Sequence, residues 1–225
     1  MNLKQMAAAK AVELVRSGMV LGLGTGSTTR YAIEMIGQHL RDGLLSDISG
    51  VPTSSGSASL AQELGIPLTT LEKCPSLDLT IDGADEVGPD LVLIKGQGGA
   101  LLREKIVAYA SRREIIIVDE SKMVQVLGTH APLAVEVVRF GWDTYSRPLR
   151  SLGCEPVQRM RRSDPYVTDE GNYIVDCHFR RIDDPIVLER ELNCIPGVVE
   201  NGLFIGLATL VLVASQSGVT ELRPS

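Results

Sequence analysis

Four ionisable side chains between residues 79 and 105 have the types and the spacing that acid–base catalysis requires. Asp82 and Asp85 follow the strand-like run LTI, Lys95 follows the run LVLI, and Glu104 lies in the helix-like segment that comes next. A buried charge without a partner is costly, so a purely structural protein has little use for so many charges between apolar runs. Carboxylates and a cation together supply a general base, a general acid and an electrophile. We therefore predict that this stretch carries the active site of an enzyme.

The two aspartates lie three residues apart in the turn DGADE, after a predicted strand over residues 77–81. Both side chains can therefore converge on one small ligand. A calcium loop is a poor alternative, because the ligand pattern of an EF-hand is missing. A surface Asp-Gly turn is a common structural alternative. The position directly after a buried strand favours a functional role for Asp82 and Asp85.

Two lysines also follow predicted strands. Lys95 ends a strand predicted over 91–94 and stands beside the glycine-rich turn GQGGA, a position that suits a cation that stabilises an oxyanion. A salt bridge to one of the two aspartates is the structural alternative, and the two roles are compatible. Lys122 follows a buried strand predicted over 114–118, and an ordinary solvated lysine is the alternative for it.

Glu104 lies on an apolar face of a predicted helix. Its neighbours three and four residues away are Ala100, Leu101, Val107 and Ala108, so no cation of the same helix lies beside it. A carboxyl group in such a setting is expected to have a raised pKa, which suits a general base. A partly buried structural ion pair with a partner outside the helix is the alternative.

A glycine-rich loop, GLGTGSTT, joins a strand predicted over 19–23 to a helix predicted over 28–40. Amides at a helix N-terminus bind anions, and the hydroxyl groups of Thr25, Ser27 and Thr28 add donors, so the loop is a candidate phosphate site. It is not the dinucleotide fingerprint, because Ser27 takes the third glycine position, and it lacks the Walker lysine. A capped helix start without a ligand is the alternative.

The alternation of strands and helices continues along the chain. A strand is predicted over 48–51 and a helix over 58–64, and helix capping alone explains the serines in the turn between them. A further short strand is predicted over 67–71. This order predicts an α/β fold with a mostly parallel, Rossmann-like sheet flanked by helices, and ligands collect at the carboxyl ends of such strands.

Two domains are predicted. The catalytic α/β domain comprises residues 1–129 and 206–225, and its sheet is completed by a terminal hairpin over 210–222. Residues 130–205 have the order βαββαβ, which is typical of a small α+β (ferredoxin-like) domain with an antiparallel sheet. Few candidate catalytic groups lie there, so we expect a subunit contact or a lid. The basic run RMRR at 159–162 is predicted to be a solvated turn.

The composition of the 225 residues narrows the function classes. A net charge of -6 argues against a general nucleic-acid binder. The sequence has no apolar run of membrane-spanning length and no signal-peptide pattern. We therefore expect a cytoplasmic location and no membrane partner. The four cysteines form no CxxC pair and the three histidines show no ligand spacing. We therefore expect free thiols and no metal site.

Taken in order, the segments GLGTGSTT, DGADE, KGQGGALLREK, DESK and PGVVENGLF resemble those of the type A ribose-5-phosphate isomerases, over nearly the whole chain. The resemblance implies interconversion of D-ribose 5-phosphate and D-ribulose 5-phosphate in the pentose phosphate pathway, without metal or cofactor. It also implies a homodimer or a dimer of dimers.

The resemblance also implies roles for individual residues. The proton-transferring glutamate of the family falls on Glu104, its active-site lysine on Lys95, and its substrate-binding aspartates on Asp82 and Asp85. Lys4 stands where some members carry a lysine close to the phosphate. Substrate or phosphate contact is further implied for the following residues: Thr25, Gly26, Ser27, Thr28, Gly83, Ala84, Gly96, Gln97, Gly98 and Lys122.

The implied chemistry agrees with the residue types. Isomerisation removes a proton from C2 and returns it at C1 through a cis-enediolate, for which Glu104 is the candidate base and Lys95 the candidate oxyanion stabiliser. Ring opening needs a further acid–base group, with Asp82 as the first choice and Asp85 as the second. The chain departs from the family pattern at Gln97, where a glycine is usual, and at Leu102, where threonine is frequent. Both departures concern substrate geometry rather than the reaction.

Two other function classes are alternatives to the isomerase. A non-catalytic sugar-phosphate sensor on the same scaffold would keep the glycine-rich loop but could dispense with Glu104. A nucleotide-dependent oxidoreductase is disfavoured because the dinucleotide fingerprint fails at Ser27. The presence of Glu104 together with Lys95 and both aspartates favours the isomerase.

Overall fold

The structure of the chain is a computed structural model that describes residues 2–224. The α-helices, numbered in chain order, are α1 (Leu3–Val12), α2 (Ser27–Arg41), α3 (Ser55–Glu63), α4 (Leu101–Tyr109), α5 (Ser146–Ser151) and α6 (Pro185–Asn193). The strands are β1 (Val20–Leu23), β2 (Ser49–Pro52), β3 (Leu79–Asp82), β4 (Glu86–Val87), β5 (Leu93–Ile94), β6 (Glu114–Asp119), β7 (Leu133–Val137), β8 (Glu155–Gln158), β9 (Met160–Arg161), β10 (Asp164–Pro165), β11 (Tyr173–His178), β12 (Val198–Asn201), β13 (Leu203–Phe204), β14 (Leu210–Ser215) and β15 (Gly218–Leu222). Short 3-10 helices span Pro89–Leu91, Glu120–Lys122 and Trp142–Tyr145. Among the described residues, no helix combines the length and the apolar character needed to cross a membrane.

The first of two compact units contains a six-stranded sheet with the strand order β15-β14-β6-β3-β1-β2. Strands β2, β1, β3, β6 and β14 are mutually parallel, and β15 runs antiparallel to β14. The central strand β6, EIIIVD, is buried along nearly its whole length, as expected of a strand covered on both faces. The predicted mostly parallel sheet and its terminal hairpin are both confirmed.

The register of this sheet places the ends of three strands side by side. Leu23, the last residue of β1, pairs with Pro52 on β2 and with Ile81 on β3. Asp82, the last residue of β3, pairs with Ile116 on β6. The loops that follow β1, β2 and β3 therefore leave the sheet at the same edge, the edge at which ligands collect in open α/β folds.

The core of the first unit is aliphatic, since aromatic residues make up only 4% of the sequence. Helix α1 contributes Ala7 and Ala11, helix α2 contributes Ile33 and Ile36, and the sheet contributes residues such as Ile81 to one buried cluster. This packing fixes α2 against the sheet and so fixes the position of the loop that begins it.

Two predicted strands differ from the structure. The strand predicted over 67–71 is wrong: Leu68 forms only a single parallel bridge to Gly50, and residues after it enter a turn. Pro67 has no amide to donate, which limits pairing at this edge. The strand predicted over 91–94 is shortened to β5, because Asp90 and Leu91 adopt positive φ angles of 53° and 57° in the preceding 3-10 helix.

The second unit contains a four-stranded antiparallel sheet with the order β12-β7-β11-β8, together with α5 and α6. This is the strand order of a ferredoxin-like βαββαβ unit, as predicted. Its core joins Val135 and Val175 of the sheet to Leu149 of α5 and Leu188 of α6. A second, three-stranded sheet of the same unit has the order β13-β5-β4.

The limits of the units differ from the predicted domain limits. The described part of the first unit comprises residues 2–84, 103–122 and 206–224, and the second comprises 85–102 and 123–205. Residues after 84 join the second unit because β4 pairs with β5, β5 pairs with β13, and Val87 forms a bridge to Met123. The predicted role of this unit, a subunit contact or a lid, stays a prediction.

Candidate active site

In the first unit, the loop after β1 is anchored by the hydroxyl group of Thr25. This hydroxyl lies 2.7 Å from the hydroxyl of Thr53, 2.8 Å from that of Ser54 and 3.2 Å from that of Ser57. The hydroxyl of Ser57 in turn donates a hydrogen bond of 2.7 Å to the carbonyl oxygen of Gly24. The turn after β2 thus holds the glycine-rich loop by a network of small polar side chains.

The serines of this second turn have two functions. Ser54 caps α3 as predicted, since its hydroxyl accepts a hydrogen bond of 3.1 Å from the amide of Ser57. The additional contact of Ser57 with Gly24 was missed, because helix capping alone explained these serines. The signal that could have found it is the pairing of β1 with β2, which places both turns at one edge of the sheet.

Helix α2 begins in the glycine-rich loop, and Gly26 is its N-cap residue, with a φ angle of 128°. A glycine favours this backbone conformation. No side chain of the described residues caps this helix. Lys4 donates a hydrogen bond of 2.8 Å from Nζ to the hydroxyl of Ser27. A positive charge therefore stands at a helix N-terminus, where backbone amides already favour an anion.

A cavity of about 230 Å³ adjoins this loop within the first unit. The polar residues that line it include Thr25, Arg30, Ser54 and Ser57. This volume and these donors are suited to a small polar ligand.

Asp82 is fully buried at the end of β3. Its Oδ1 accepts hydrogen bonds from the amide of Gly83 at 2.7 Å and from the amide of Thr25 at 3.2 Å. A Cβ atom at Gly24 would lie 2.4 Å from this same oxygen, so only glycine allows the loop to approach the carboxylate so closely. The structure therefore brings the predicted aspartate and the predicted phosphate loop together.

Glu104 and Lys122 are the other charged site residues predicted in the part of the chain that forms the first unit. Glu104 is only 4% exposed, and Val107 and Ala108, on the same side of α4, are equally buried. The predicted burial of this apolar helix face is confirmed. Lys122 ends the short 3-10 helix after β6 and is half-buried.

In the second unit, Asp85 precedes β4 and Lys95 follows β5, so both residues lie at the same open end of this antiparallel pair. The amide of Asp85 donates to the carbonyl oxygen of Ile94 at 2.8 Å, and its Oδ2 accepts from the amide of Gln97 at 2.9 Å. Lys95 is 3% exposed, and its Nζ lies 5.3 Å from the centre of the Phe204 ring. Asp85 belongs to this unit and Asp82 to the first, so their convergence on one ligand stays a prediction.

The glycine turn after Lys95 has a backbone that requires glycine. Gly96 and Gly99 have φ angles of 114° and 76°. A Cβ atom at Gly99 would lie 2.2 Å from the hydroxyl oxygen of Tyr166. Gln97 and Gly98 between them are exposed, so the substitution of Gln97 for the family's glycine is accommodated without burial of its side chain.

Two charged residues, Glu86 and Arg159, are bonded to other groups of the protein rather than exposed to solvent. Glu86 is fully buried, and its carboxylate accepts hydrogen bonds from the amides of Gly128, His130 and Ala131, so its role is structural. The prediction that Arg159 lies in a solvated turn is wrong, because its side chain is only 14% exposed, pairs with Asp176 and contacts the glycine turn.

Across the described residues, no cluster of three or more His, Cys, Asp or Glu side chains is arranged to hold a metal ion.

Comparison with known proteins gives concordant matches. A family model described as ribose 5-phosphate isomerase A (phosphoriboisomerase A) matches residues 49–218. The ribose-5-phosphate isomerase A of Chloroflexus aurantiacus is 55% identical over 223 residues, which cover 99% of this chain and 93% of that protein.

Solved structures agree with these sequence matches. The structure of ribose 5-phosphate isomerase A from Methanocaldococcus jannaschii is 45% identical, with a TM-score of 0.93 and coverage of 98% of each chain. A structure of a D-ribose-5-phosphate isomerase in complex with phospho-erythronic acid is 44% identical, with a TM-score of 0.96, and the match covers 99% of this chain and 100% of that one.

Proposed function

This chain belongs to the ribose 5-phosphate isomerase A family, and we propose how its own residues carry out the reaction of that family. The chain is an aldose–ketose isomerase that interconverts D-ribose 5-phosphate and D-ribulose 5-phosphate, a step of the pentose phosphate pathway. The observation that carries this conclusion is the sequence identity of 55% to a protein of this name, over 99% of this chain and 93% of that protein. Nothing favours the alternative of a non-catalytic sensor.

The phosphate group binds at the start of α2. The amides of Gly26, Ser27 and Thr28 supply donors, with the hydroxyl groups of the latter two, and Lys4 beside Ser27 supplies a positive charge. Thr25 takes part by holding the loop in place, since its amide and its hydroxyl are bonded within the protein. Lys122, half-buried after β6, adds a second cation for the sugar phosphate. Binding energy from the phosphate holds the reacting carbons in place and so serves the chemical step.

Glu104 is the group that moves the proton between C2 and C1. Its burial supports this role, because a carboxylate shielded from water acts on the bound substrate rather than on solvent. One carboxylate is sufficient, since the proton taken from C2 is the one that returns at C1. A second proton passes from the hydroxyl on C2 to the oxygen on C1, so the sugar is redox-neutral overall and no electron leaves it.

Lys95 stabilises the negative charge that develops on the enediolate oxygens. Its buried position supports this role, because charge interactions are stronger where water is excluded, and one such group contributes about 3 kcal/mol. Asp82, held by the amides of Thr25 and Gly83, is the first candidate for opening the furanose ring, and Asp85 is the second. Gly83, Ala84, Gly96 and Gly98 allow the backbone to approach the substrate.

We propose that the reaction uses neither metal nor cofactor, because Glu104 moves the proton and Lys95 stabilises the charge that develops. We further propose that the protein forms a homodimer or a dimer of dimers and that the second unit supplies the subunit contact or a lid. Large apolar side chains exposed on this unit, Phe140 at 92% and Ile186 at 55%, support a contact surface there. The measured mass in solution would be at least twice the 24.3 kDa of one chain. The four free cysteines support a cytoplasmic location.

The proposed activity is tested by adding ribose 5-phosphate to chelator-treated protein and following the ketose. Turnover that persists after chelation is expected, and its loss would point to a metal. Because a solved relative binds phospho-erythronic acid, that acid is expected to inhibit this chain competitively with the sugar phosphate. A folded sample that binds the acid but forms no ketose would overturn the catalytic role and favour the sensor.

A further inference from the structure

The peptide group between Gly96 and Gln97 is held from both sides within the second unit. Its carbonyl oxygen accepts a hydrogen bond of 2.7 Å from Nη1 of Arg159, and its N–H donates one of 2.9 Å to Oδ2 of Asp85. A peptide group is planar, so a contact that fixes the carbonyl also fixes the direction of the N–H. The position of Arg159 therefore sets the direction from which this N–H meets Asp85.

Arg159 is itself held by Asp176. Its Nε donates a hydrogen bond of 2.9 Å to Oδ2 of Asp176, and its Nη2 donates to Oδ1, so the two side chains form a two-bond pair. They are only 14% and 18% exposed. Because Arg159 directly follows β8 and Asp176 lies on the paired strand β11, the ion pair is built into the antiparallel sheet. Its remaining Nη1 contacts the carbonyl oxygens of Gly96 and Gln97.

Tyr166 confines the glycine turn further. The amide of Tyr166 donates to the carbonyl oxygen of Arg159 at 2.8 Å, and its ring centre lies 5.9 Å from the guanidinium carbon. The same ring occupies the space that a side chain at Gly99 would need. The turn thus has little freedom to change its backbone, and its orientation is determined by residues more than sixty positions away in the sequence.

We propose that Arg159 is a positioning residue for Asp85, acting through the peptide group between Gly96 and Gln97. The guanidinium fixes and polarises the carbonyl, which strengthens the N–H on the other side as a donor to the Asp85 carboxylate. A lysine could not replace it fully, because the planar guanidinium makes two bonds to Asp176 while a third N–H reaches the turn. The inference rests on the role in substrate binding proposed above for Asp85.

The first test compares Arg159→Gln, Arg159→Lys and the control Arg161→Gln, a change at an exposed arginine two residues away. We expect kcat to fall by about tenfold or more in Arg159→Gln and by less in Arg159→Lys, because a small misplacement of a substrate-contacting group is costly. Arg161→Gln should match the wild type. The inhibition constant of inorganic phosphate should stay unchanged in all three. A parallel loss of phosphate affinity in Arg159→Gln would indicate general disruption and overturn the proposal.

The second test asks whether the effect passes through Asp85. In an Asp85→Asn background, Arg159→Gln should lower kcat by less than twofold, since the group it positions has already been altered. An equal fold-loss in both backgrounds would overturn the proposal.

A third measurement does not depend on activity. The amide of Gln97 should exchange its hydrogen faster in Arg159→Gln than in the wild type, as followed by NMR. If the Gln97 amide exchanged at the same rate in a folded Arg159→Gln variant, the proposal would be overturned even if the wild type were active. If the wild type were inactive but this amide exchanged faster in the variant, only the proposed function would be contradicted. If Arg159→Gln does not fold, Asp176→Asn loosens the same arginine and should give the same changes with smaller amplitude.

Discussion

The backbone amide of Thr25 donates a hydrogen bond of 3.2 Å to Oδ1 of Asp82, so the loop after β1 is tied to the end of β3. The same oxygen accepts from the amide of Gly83 at 2.7 Å. A residue proposed to open the sugar ring therefore also shapes the loop proposed to bind the phosphate. Substitutions at Asp82 should consequently affect catalysis and binding in separable ways.

Asp82→Asn and Asp82→Ala should have different kinetic effects. Asparagine keeps an oxygen that can accept from both amides, so KM should change little while kcat falls by about 100-fold through loss of the acid–base group. Alanine removes the acceptor as well and leaves two amides unsatisfied, so KM should rise and stability should fall by about 1–3 kcal/mol. Steady-state kinetics and thermal unfolding check both. An alanine variant with a normal KM would show that the loop does not depend on this carboxylate.

Ser57→Ala should weaken substrate binding without slowing the chemical step. The variant removes the hydrogen bond of 2.7 Å to the carbonyl oxygen of Gly24, an interaction worth about 1 kcal/mol. We expect a rise in KM of about fivefold and an unchanged kcat. Ser59→Ala is the matched control, because Ser59 is an exposed serine of the same helix. Equal effects of the two substitutions would contradict a role for Ser57 in holding the loop.

Gly24→Ala and Gly56→Ala should change stability in opposite directions. A Cβ atom at Gly24 would lie 2.4 Å from Oδ1 of Asp82 and 2.5 Å from the carbonyl oxygen of Ile81, so we expect a loss of at least about 1–3 kcal/mol and of activity. At Gly56, in the first turn of α3, the nearest atom would be 3.7 Å away. Alanine there should stabilise the protein by about 0.5–1 kcal/mol. Chemical denaturation of both variants tests this, and destabilisation by Gly56→Ala would contradict it.

The contact between Thr25 and Asp82 could be anticipated from the sequence because both residues follow strands of one parallel sheet. Alternation of strands and helices predicts such a sheet, and parallel strands bring their carboxyl ends to one edge. The apolar setting of Glu104 was equally accessible, since helical periodicity alone fixes its neighbours. The local sequence pattern and the expected sheet topology were together sufficient to predict where these residues lie.

Arg159 could not be found in this way. Its sequence neighbours Arg161 and Arg162 are exposed, as expected of a basic run, and nothing local distinguishes Arg159 from them. Its burial depends on pairing with Asp176, which requires the register of β8 against β11. The limits of the two units differ from the predicted domain limits for a similar reason, because two-residue strands such as β4 and β5 carry almost no periodicity.

Glu136 should make the stability of the protein depend on pH. It is 1% exposed, and its burial raises the pKa of the carboxyl group, although the hydroxyl of Thr168 and the amide of Asn172 donate to it and lower the pKa in part. The folded protein therefore holds this proton more tightly than the unfolded chain. The stabilising contribution is full below the unfolded pKa of 4.5 and is lost as the pH rises through the raised folded value.

Glu136→Gln removes this titration, so the variant should gain stability relative to the wild type as the pH increases. Unfolding midpoints at pH 4.5 and pH 7.5, roughly the unfolded pKa and a value well above it, measure the difference. Glu191→Gln, at an exposed glutamate of α6, is the control and should show no such trend. A constant difference between Glu136→Gln and the wild type at both pH values would contradict the shifted titration.

Glu104→Gln should abolish most of the turnover while the protein keeps its fold and its ligand affinity. Glutamine has nearly the same shape but cannot accept the C2 proton, so kcat should fall by about 1,000-fold. Binding of phospho-erythronic acid should be retained, because that acid requires no proton transfer. Glu63→Gln, at an exposed glutamate that ends α3, is the control and should have wild-type kinetics. If Glu104→Gln kept near-normal turnover, the base would have to be another carboxylate, and a fall in kcat of about 1,000-fold in Asp82→Asn or in Asp85→Asn would identify which one.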